Sequence, residues 1–244
     1  MRDDFEGVRV DAQYGFFQHN NDSDDGYVRE ETAFRSLTNP SQFQLPDDNW
    51  EGGYGKDATV IFGVSSPDGR GNITAYAGYR SNDAILQRDF DYSHCALGAP
   101  STAARPYAPA GTTHWTCGGS GTSFPGQFTD FTTFAYTVDQ STGDFVNYDG
   151  NLNAYNFGPT NYYQRPDERY TLGAFARYEI NDRAEAYAQL MFTDYRSVAQ
   201  IAPSGNFFST SSIRCDNPML SAQQRAAICE VDLVPDIVDD PDTA

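Results

Sequence analysis

Five stretches of this chain alternate apolar and polar residues with a period of two, and that alternation constrains its folding more than any other feature. From Val8 to Phe16 the even positions are Val8, Val10, Ala12, Tyr14 and Phe16, and the odd positions are Arg9, Asp11, Gln13 and Gly15. Successive side chains of a β-strand point to opposite faces, so this stretch predicts a strand between two different environments. The second stretch sets Ala58, Val60, Phe62 and Val64 against Asp57, Thr59, Ile61, Gly63 and Ser65. The third sets Ile73, Ala75, Ala77 and Tyr79 against Asn72, Thr74, Tyr76, Gly78 and Arg80. Ser66-Pro67-Asp68-Gly69-Arg70-Gly71 between them has strong turn chemistry, so the two form a hairpin. The fourth sets Tyr170, Leu172, Ala174, Ala176, Tyr178 and Ile180 against Arg169, Thr171, Gly173, Arg177 and Glu179, with Phe175 an exception on the polar face. After the tight turn Asn181-Asp182-Arg183, the fifth sets Ala184, Ala186, Ala188, Leu190 and Phe192 against Glu185, Gln189 and Thr193, with Tyr187 and Met191 blurring the polar side.

The expected strands are 5–18, 57–65, 72–82, 168–180 and 184–196, and the expected long loops are 19–56, 83–167 and 197–244. The connections run long, short, long, short, long. A transmembrane β-barrel has short turns on its periplasmic side and long loops outside. The expected fold is therefore all-β: a portion of an antiparallel transmembrane β-barrel, about five strands, with long extracellular loops. The strands would run outward, inward, outward, inward and outward. Tyr14, Phe16 and Phe17 near the outer end of the first strand, and Tyr178 near the turn at 181, suit interfacial aromatic girdles. The alternative is a secreted or surface β-sandwich, such as a carbohydrate-binding module, whose strands also alternate. Against it stand Arg9, Asp11, Arg80, Arg169, Arg177, Glu179 and Glu185 on the polar face, which suit a wet lumen, and a connection from 83 to 167 that is long for a compact sandwich.

Composition excludes other classes. With 34 Asp and Glu against 16 Lys and Arg, and a formal charge of −18, the chain is a poor partner for nucleic acid or for an anionic membrane surface. Its 17 Phe and 16 Tyr are too many for a disordered acidic chain. No apolar run approaches the roughly 20 residues of a membrane helix, a test that is blind to strands. Met1 is followed at once by Arg2-Asp3-Asp4 with no apolar leader core, so the chain is expected to be either cytosolic or lacking its true N-terminus. Four cysteines in polar, Gly/Ser/Pro-rich surroundings favour the second, because they fit disulfides made in an oxidising compartment.

Cys95 with Cys117, and Cys215 with Cys229, are the simple disulfide pairs, each stapling its own loop; free thiols and cross-pairing remain open. A sharper reading joins His94-Cys95 to His114-x-x-Cys117 as zinc ligands, but the spacing fits no standard finger. Asp232, Asp236, Asp239, Asp240 and Asp242 suggest calcium but lack the EF-hand loop pattern. No G-x-S-x-G, phosphate-loop or H-E-x-x-H motif appears, so the expectation is no enzyme, no catalytic residue, no cofactor and no resident metal. Ser221 to Cys229 reads as a short helix with Ser221 as its N-cap. The loop aromatics Trp50, Tyr54, Trp115, Phe124, Tyr162 and Tyr163 are the candidate ligand contacts, set against the alternative that they pack the loops on themselves.

Three segments carry a family resemblance. Asp3-Asp4-Phe5-Glu6-Gly7-Val8-Arg9-Val10-Asp11-Ala12-Gln13-Tyr14-Gly15 resembles the first barrel strand of TonB-dependent outer-membrane receptors, just after the plug domain. The segment from Tyr170 to Tyr187 looks like that family's recurrent hairpin with an Asn-Asp turn, and Ser221-Ala222-Gln223-Gln224-Arg225 resembles one of its external-loop segments. The resemblance implies a plug inside a barrel of about 22 strands. It further implies energy relayed by the TonB complex through that plug, and capture of an iron chelate, cobalamin or saccharide at the cell outer membrane. The implied partners are outer-membrane lipid, the rest of the barrel and plug, and a small-molecule ligand. The chain departs from the pattern in showing no plug, no TonB box and only about five strands, which implies a fragment.

Overall fold

A computed structural model describes residues 5–23, 25–209 and 211–229. In chain order the elements are β1 Gly7–Asn20, α1 Val28–Ser36, β2 Asn49–Ser65, β3 Gly71–Asn82, β4 Ile85–Leu86, β5 Phe128–Thr129, β6 Ala135–Val138, β7 Phe145–Asn147, α2 Gly150–Asn153, β8 Tyr162–Gln164, β9 Asp167–Asn181, β10 Ala184–Ser197 and α3 Ala222–Cys229. The protein is mostly β, its strands pair antiparallel, and its helices are few and short. It divides into two compact units. The first draws on residues up to Asp25, on Leu45–His94 and on Gly158–Ala202; the second draws on Gly26–Gln44, Cys95–Phe157 and the chain from Pro203 onward.

The first unit is built on a five-stranded sheet in the order β1-β2-β3-β9-β10. Its register lines up apolar residues of all five strands on one face. Val10, Val60, Ala77, Leu172 and Phe192 form one cross-strand row, and Val8, Phe62, Ala75, Ala174 and Leu190 form the next. Asp11, Thr59, Gly78, Thr171 and Thr193 form a row on the opposite face. A one-residue slip in any pair would exchange the two faces, so the alternation itself fixes the register. Both short turns lie at one end of the sheet. In the β2–β3 turn the Asp68 carboxylate accepts from the Arg70 amide at 3.1 Å and from the Tyr178 hydroxyl of β9 at 2.9 Å. These bonds and the Ser66 hydroxyl hold that carboxylate well below the usual aspartate range. In the β9–β10 turn the Arg183 amide donates to the Asn181 side chain at 3.0 Å, a local bond that favours Asn here. Among the described residues the sheet does not close, because β1 and β10 each pair on one side only.

Two features of this sheet differ from the expectation. The second strand begins at Asn49 and not at 57, because Asn49-Trp50-Glu51-Gly52-Gly53-Tyr54-Gly55 pairs with the end of β1 through a register shift between Gly15 and Phe17. Three glycines in seven residues hide any alternation there. Phe175, the exception on the polar face, stacks on Tyr76 at 6.3 Å, and the Tyr76 ring lies across Gly173, where a Cβ would meet it at 2.2 Å. Glycine in mid-strand is what this close approach requires.

The second unit has a small mixed core. The buried face of α1, Val28, Glu31, Thr32 and Arg35, is set at helical spacing. Val28 packs with Phe43 and the Cys95–Cys117 disulfide. Residues 95–117 form a ragged hairpin, with bridges Leu97–Cys117, Ser101–His114 and Arg105–Ala108, so the disulfide closes its open end. β5, β6 and β7 form a three-stranded sheet, and Phe128, Tyr136 and Phe145 stack on it. α3 starts with a reciprocal capping box: the Gln224 amide donates to Ser221 Oγ at 3.1 Å, and the Ser221 amide donates to Gln224 Oε1 at 3.0 Å. The Gln223 side chain then makes two bonds of 2.9 Å with the Phe145 backbone, accepting from its amide and donating to its carbonyl.

Candidate functional site

Two surfaces of the first unit offer chemistry. One is the apolar sheet face. Val8 is 67% exposed, Val10 65% and Leu190 71%, and Phe62, Leu172 and Phe192 are each about half exposed. Isolated exposed apolar residues are ordinary, but these stand in continuous rows over five strands, and soluble monomers rarely show so large an apolar patch.

The other surface is an aromatic cluster. Phe90 is its buried hub: Trp50 lies 4.8 Å from it, His19 5.3 Å, Tyr92 5.4 Å and Tyr163 5.6 Å, centroid to centroid. Trp50 reaches the hub because Gly52 has no side chain; a Cβ there would meet the indole at 2.6 Å. The segment carrying Phe90 is anchored by polar bonds. The Asn21 side chain donates to the Asp47 and Asp89 carbonyls at 2.7 and 2.9 Å and accepts from the Asp91 amide at 2.9 Å. The buried Asp91 carboxylate accepts from the Ser23 amide at 2.8 Å and lies 3.2 Å from His19 Nε2. Burial alone would raise the Asp91 pKa, but the Ser23 and His19 bonds and the nearby His94 ring outweigh it and hold the group below its usual range. On the outside, Tyr92 and Tyr163 leave half their surface free and lie 6.2 Å apart with a tilt of 42°. Burial, and then the nearness of Tyr163 and Asp91, push the Tyr92 hydroxyl pKa up, so it stays protonated and able to donate.

The candidate aromatics fall into separate places. Trp50 and Tyr163 share the Phe90 cluster. Tyr54 lies on β2, its ring 6.0 Å from Tyr14 and its hydroxyl on Glu51 at 2.8 Å. Tyr162 lies in β8, opposite Leu86. Trp115 and Phe124 belong to the second unit: the Trp115 ring lies against Gly26, and the Phe124 carbonyl accepts from Asn39 and Gln42 at 2.8 and 2.7 Å. His19, Phe90, Asp91 and Tyr92 were not singled out from sequence. The legible signal was Asp89-Phe90-Asp91-Tyr92, an alternation of acid and aromatic inside a stretch that otherwise looked patternless.

The cysteines are two disulfides, Cys95–Cys117 with Cα atoms 5.5 Å apart and Cys215–Cys229 with 5.8 Å. The zinc alternative thereby loses its sulfur ligands. The acidic residues considered for calcium, from Asp232 to Asp242, lie outside the described residues. Beside the first disulfide, Arg35 is buried against Phe43, with its guanidinium carbon 4.3 Å from the ring centroid, and donates to the carbonyls of Cys117 and, at 3.0 Å, Leu152. Burial lowers the Arg35 pKa and Glu31, 3.7 Å away, partly restores it. Glu31 also accepts from the Tyr107 hydroxyl, whose pKa burial and this bond push far up. These buried groups tie α1 to the segments around Cys117, Leu152 and Tyr107. No protein-family model, curated protein or solved structure matches this chain.

Proposed function

We propose that this chain is part of the barrel of a TonB-dependent outer-membrane receptor, in which the sheet spans the bilayer and the long connections capture a scarce nutrient. The single observation supporting this is the five-stranded sheet with one face of exposed apolar rows, an opposite face bearing Arg9, Asp11, Asp57, Arg80 and Arg169, and both short turns at one end. Lipid on one side and water on the other is the pair of environments that such a sheet matches. The free edges of β1 and β10 then call for further strands, since an open edge in a bilayer leaves backbone groups unpaired. On this reading the nutrient is an iron chelate, cobalamin or a saccharide, and uptake draws on a plug and the TonB complex supplied by other parts of the receptor.

The test is extraction and refolding of the full chain. Partition into detergent micelles or lipid vesicles, with aggregation in their absence, is the expected outcome. A soluble, monomeric, cooperatively unfolding chain in plain buffer would sink the proposal.

A further inference from the structure

We infer that Tyr92 and Tyr163 form a stacking platform for a neutral oligosaccharide, with His19, Trp50 and Phe90 as its rigid backing. The platform gives a ligand class to the receptor reading and depends on that reading only for its biological setting. Four observations converge on it. The two rings are half exposed while the Phe90 hub beneath them is buried, so their outer faces are presented on a fixed support. The rings are tilted by 42° at 6.2 Å, so a rigid flat ligand can lie on only one of them, whereas two successive sugar rings, which turn relative to one another, can cover both. The Tyr92 and Tyr163 hydroxyls have no protein hydrogen-bond partner among the described residues, which leaves a donor and acceptor at each ring for sugar hydroxyls. The segments beneath are acidic: Asp22, Asp47, Asp48, Asp89 and Asp91 lie in or beside the loops that Asn21 ties together, and Arg88 is engaged by Asp89 at 3.7 Å. An anionic ligand would be repelled there, and a neutral polyol would not.

The experiment is isothermal titration of the full chain, in detergent micelles where it requires them, with maltohexaose, cellohexaose and laminarihexaose, and with trigalacturonate as the anionic probe. At least one neutral hexasaccharide should bind and trigalacturonate should not. Tyr92→Ala and Tyr163→Ala should each weaken binding about tenfold, the size of one lost aromatic contact. Tyr92→Phe and Tyr163→Phe keep the rings and should lose less than the Ala variants. Should an Ala variant fail to fold, Trp50 fluorescence in a Trp115→Phe background decides the matter: a change on saturation with the bound hexasaccharide supports the platform, and no change overturns it. The inference also falls if no neutral hexasaccharide binds, if the Ala variants bind as well as the parent, or if trigalacturonate binds equally well. A soluble chain that binds a hexasaccharide through these tyrosines would sink the receptor reading alone, and a micelle-bound chain that binds none would sink the platform alone.

Discussion

The two units place their polar and apolar groups in opposite ways. The sheet unit turns Val8, Val10, Phe62, Leu172 and Leu190 outward and holds itself together by backbone pairing along five strands. The loop unit buries Glu31, Arg35, His114, Asn39 and Asn156 and holds itself by side-chain bonds to backbone and by two disulfides. One set of twenty amino acids serves both, and the difference lies in what each unit uses for cohesion. A sheet satisfies its own backbone and can leave its side chains to the solvent around it. A loop has no ladder, so its carbonyls need partners such as Arg35, Gln42 and Gln223.

The largest expected effect lies in the loop unit. Arg35→Ala removes the nearer of the two cations beside the buried Glu31, leaving Arg105 at 4.0 Å, and removes the donor to Cys117 and Leu152. It should cost about 3–5 kcal/mol, read by chemical denaturation through Trp115 fluorescence in a Trp50→Phe background. A loss under about 1 kcal/mol would mean that the loop unit is not held by its buried polar groups, and the contrast would fail.

The next effect tests the sheet. Leu172→Arg places a charge in the middle of the apolar face and should disfavour bilayer insertion by about 2–4 kcal/mol, measured by reversible folding into vesicles. Thr171→Arg on the opposite face should change insertion far less. Equal penalties on both faces would show that the two environments are not distinct.

A smaller effect depends on acid. The Asp91 pKa is depressed on folding, so its contribution is present above the unfolded value and is lost as pH falls below 3.8 through the folded value. Trp50 fluorescence in the Trp115→Phe background should report loosening of the Phe90 cluster in that window, and Asp91→Asn should remove this dependence. The smallest effect is at α3, where Ser221→Ala breaks the capping box and should cost about 1 kcal/mol, visible as a modest shift in the loop unit's denaturation midpoint.

How much was legible follows from the range of the interactions. The hairpins β2–β3 and β9–β10 could be read because period-two alternation and the turns at 66–71 and 181–183 are local properties. The α3 cap at Ser221 is local as well, with the hydroxyl and its Gln224 partner three residues apart. α1 escaped because its buried face includes Glu31, Thr32 and Arg35, which look like a solvent face until Phe43, Cys117 and Leu152 are placed around them. The aromatic cluster escaped because its members come from positions 19, 50, 90, 92 and 163, brought together by strand pairing that no short window contains.

The sequence by itself determined which residues face together on each strand, where the tight turns fall and that the chain is acidic and rich in Phe and Tyr. Those properties depend only on neighbours a few positions away. The tertiary structure alone decided that β3 pairs with β9 across the connection from 83 to 166, that the segment between the expected partners Cys95 and Cys117 folds as a hairpin bridged at Ser101–His114 and Arg105–Ala108, and that Tyr92 and Tyr163 share one support. Each of these is a choice among many distant partners, and only the collective fit of register, packing and hydrogen bonding selects one.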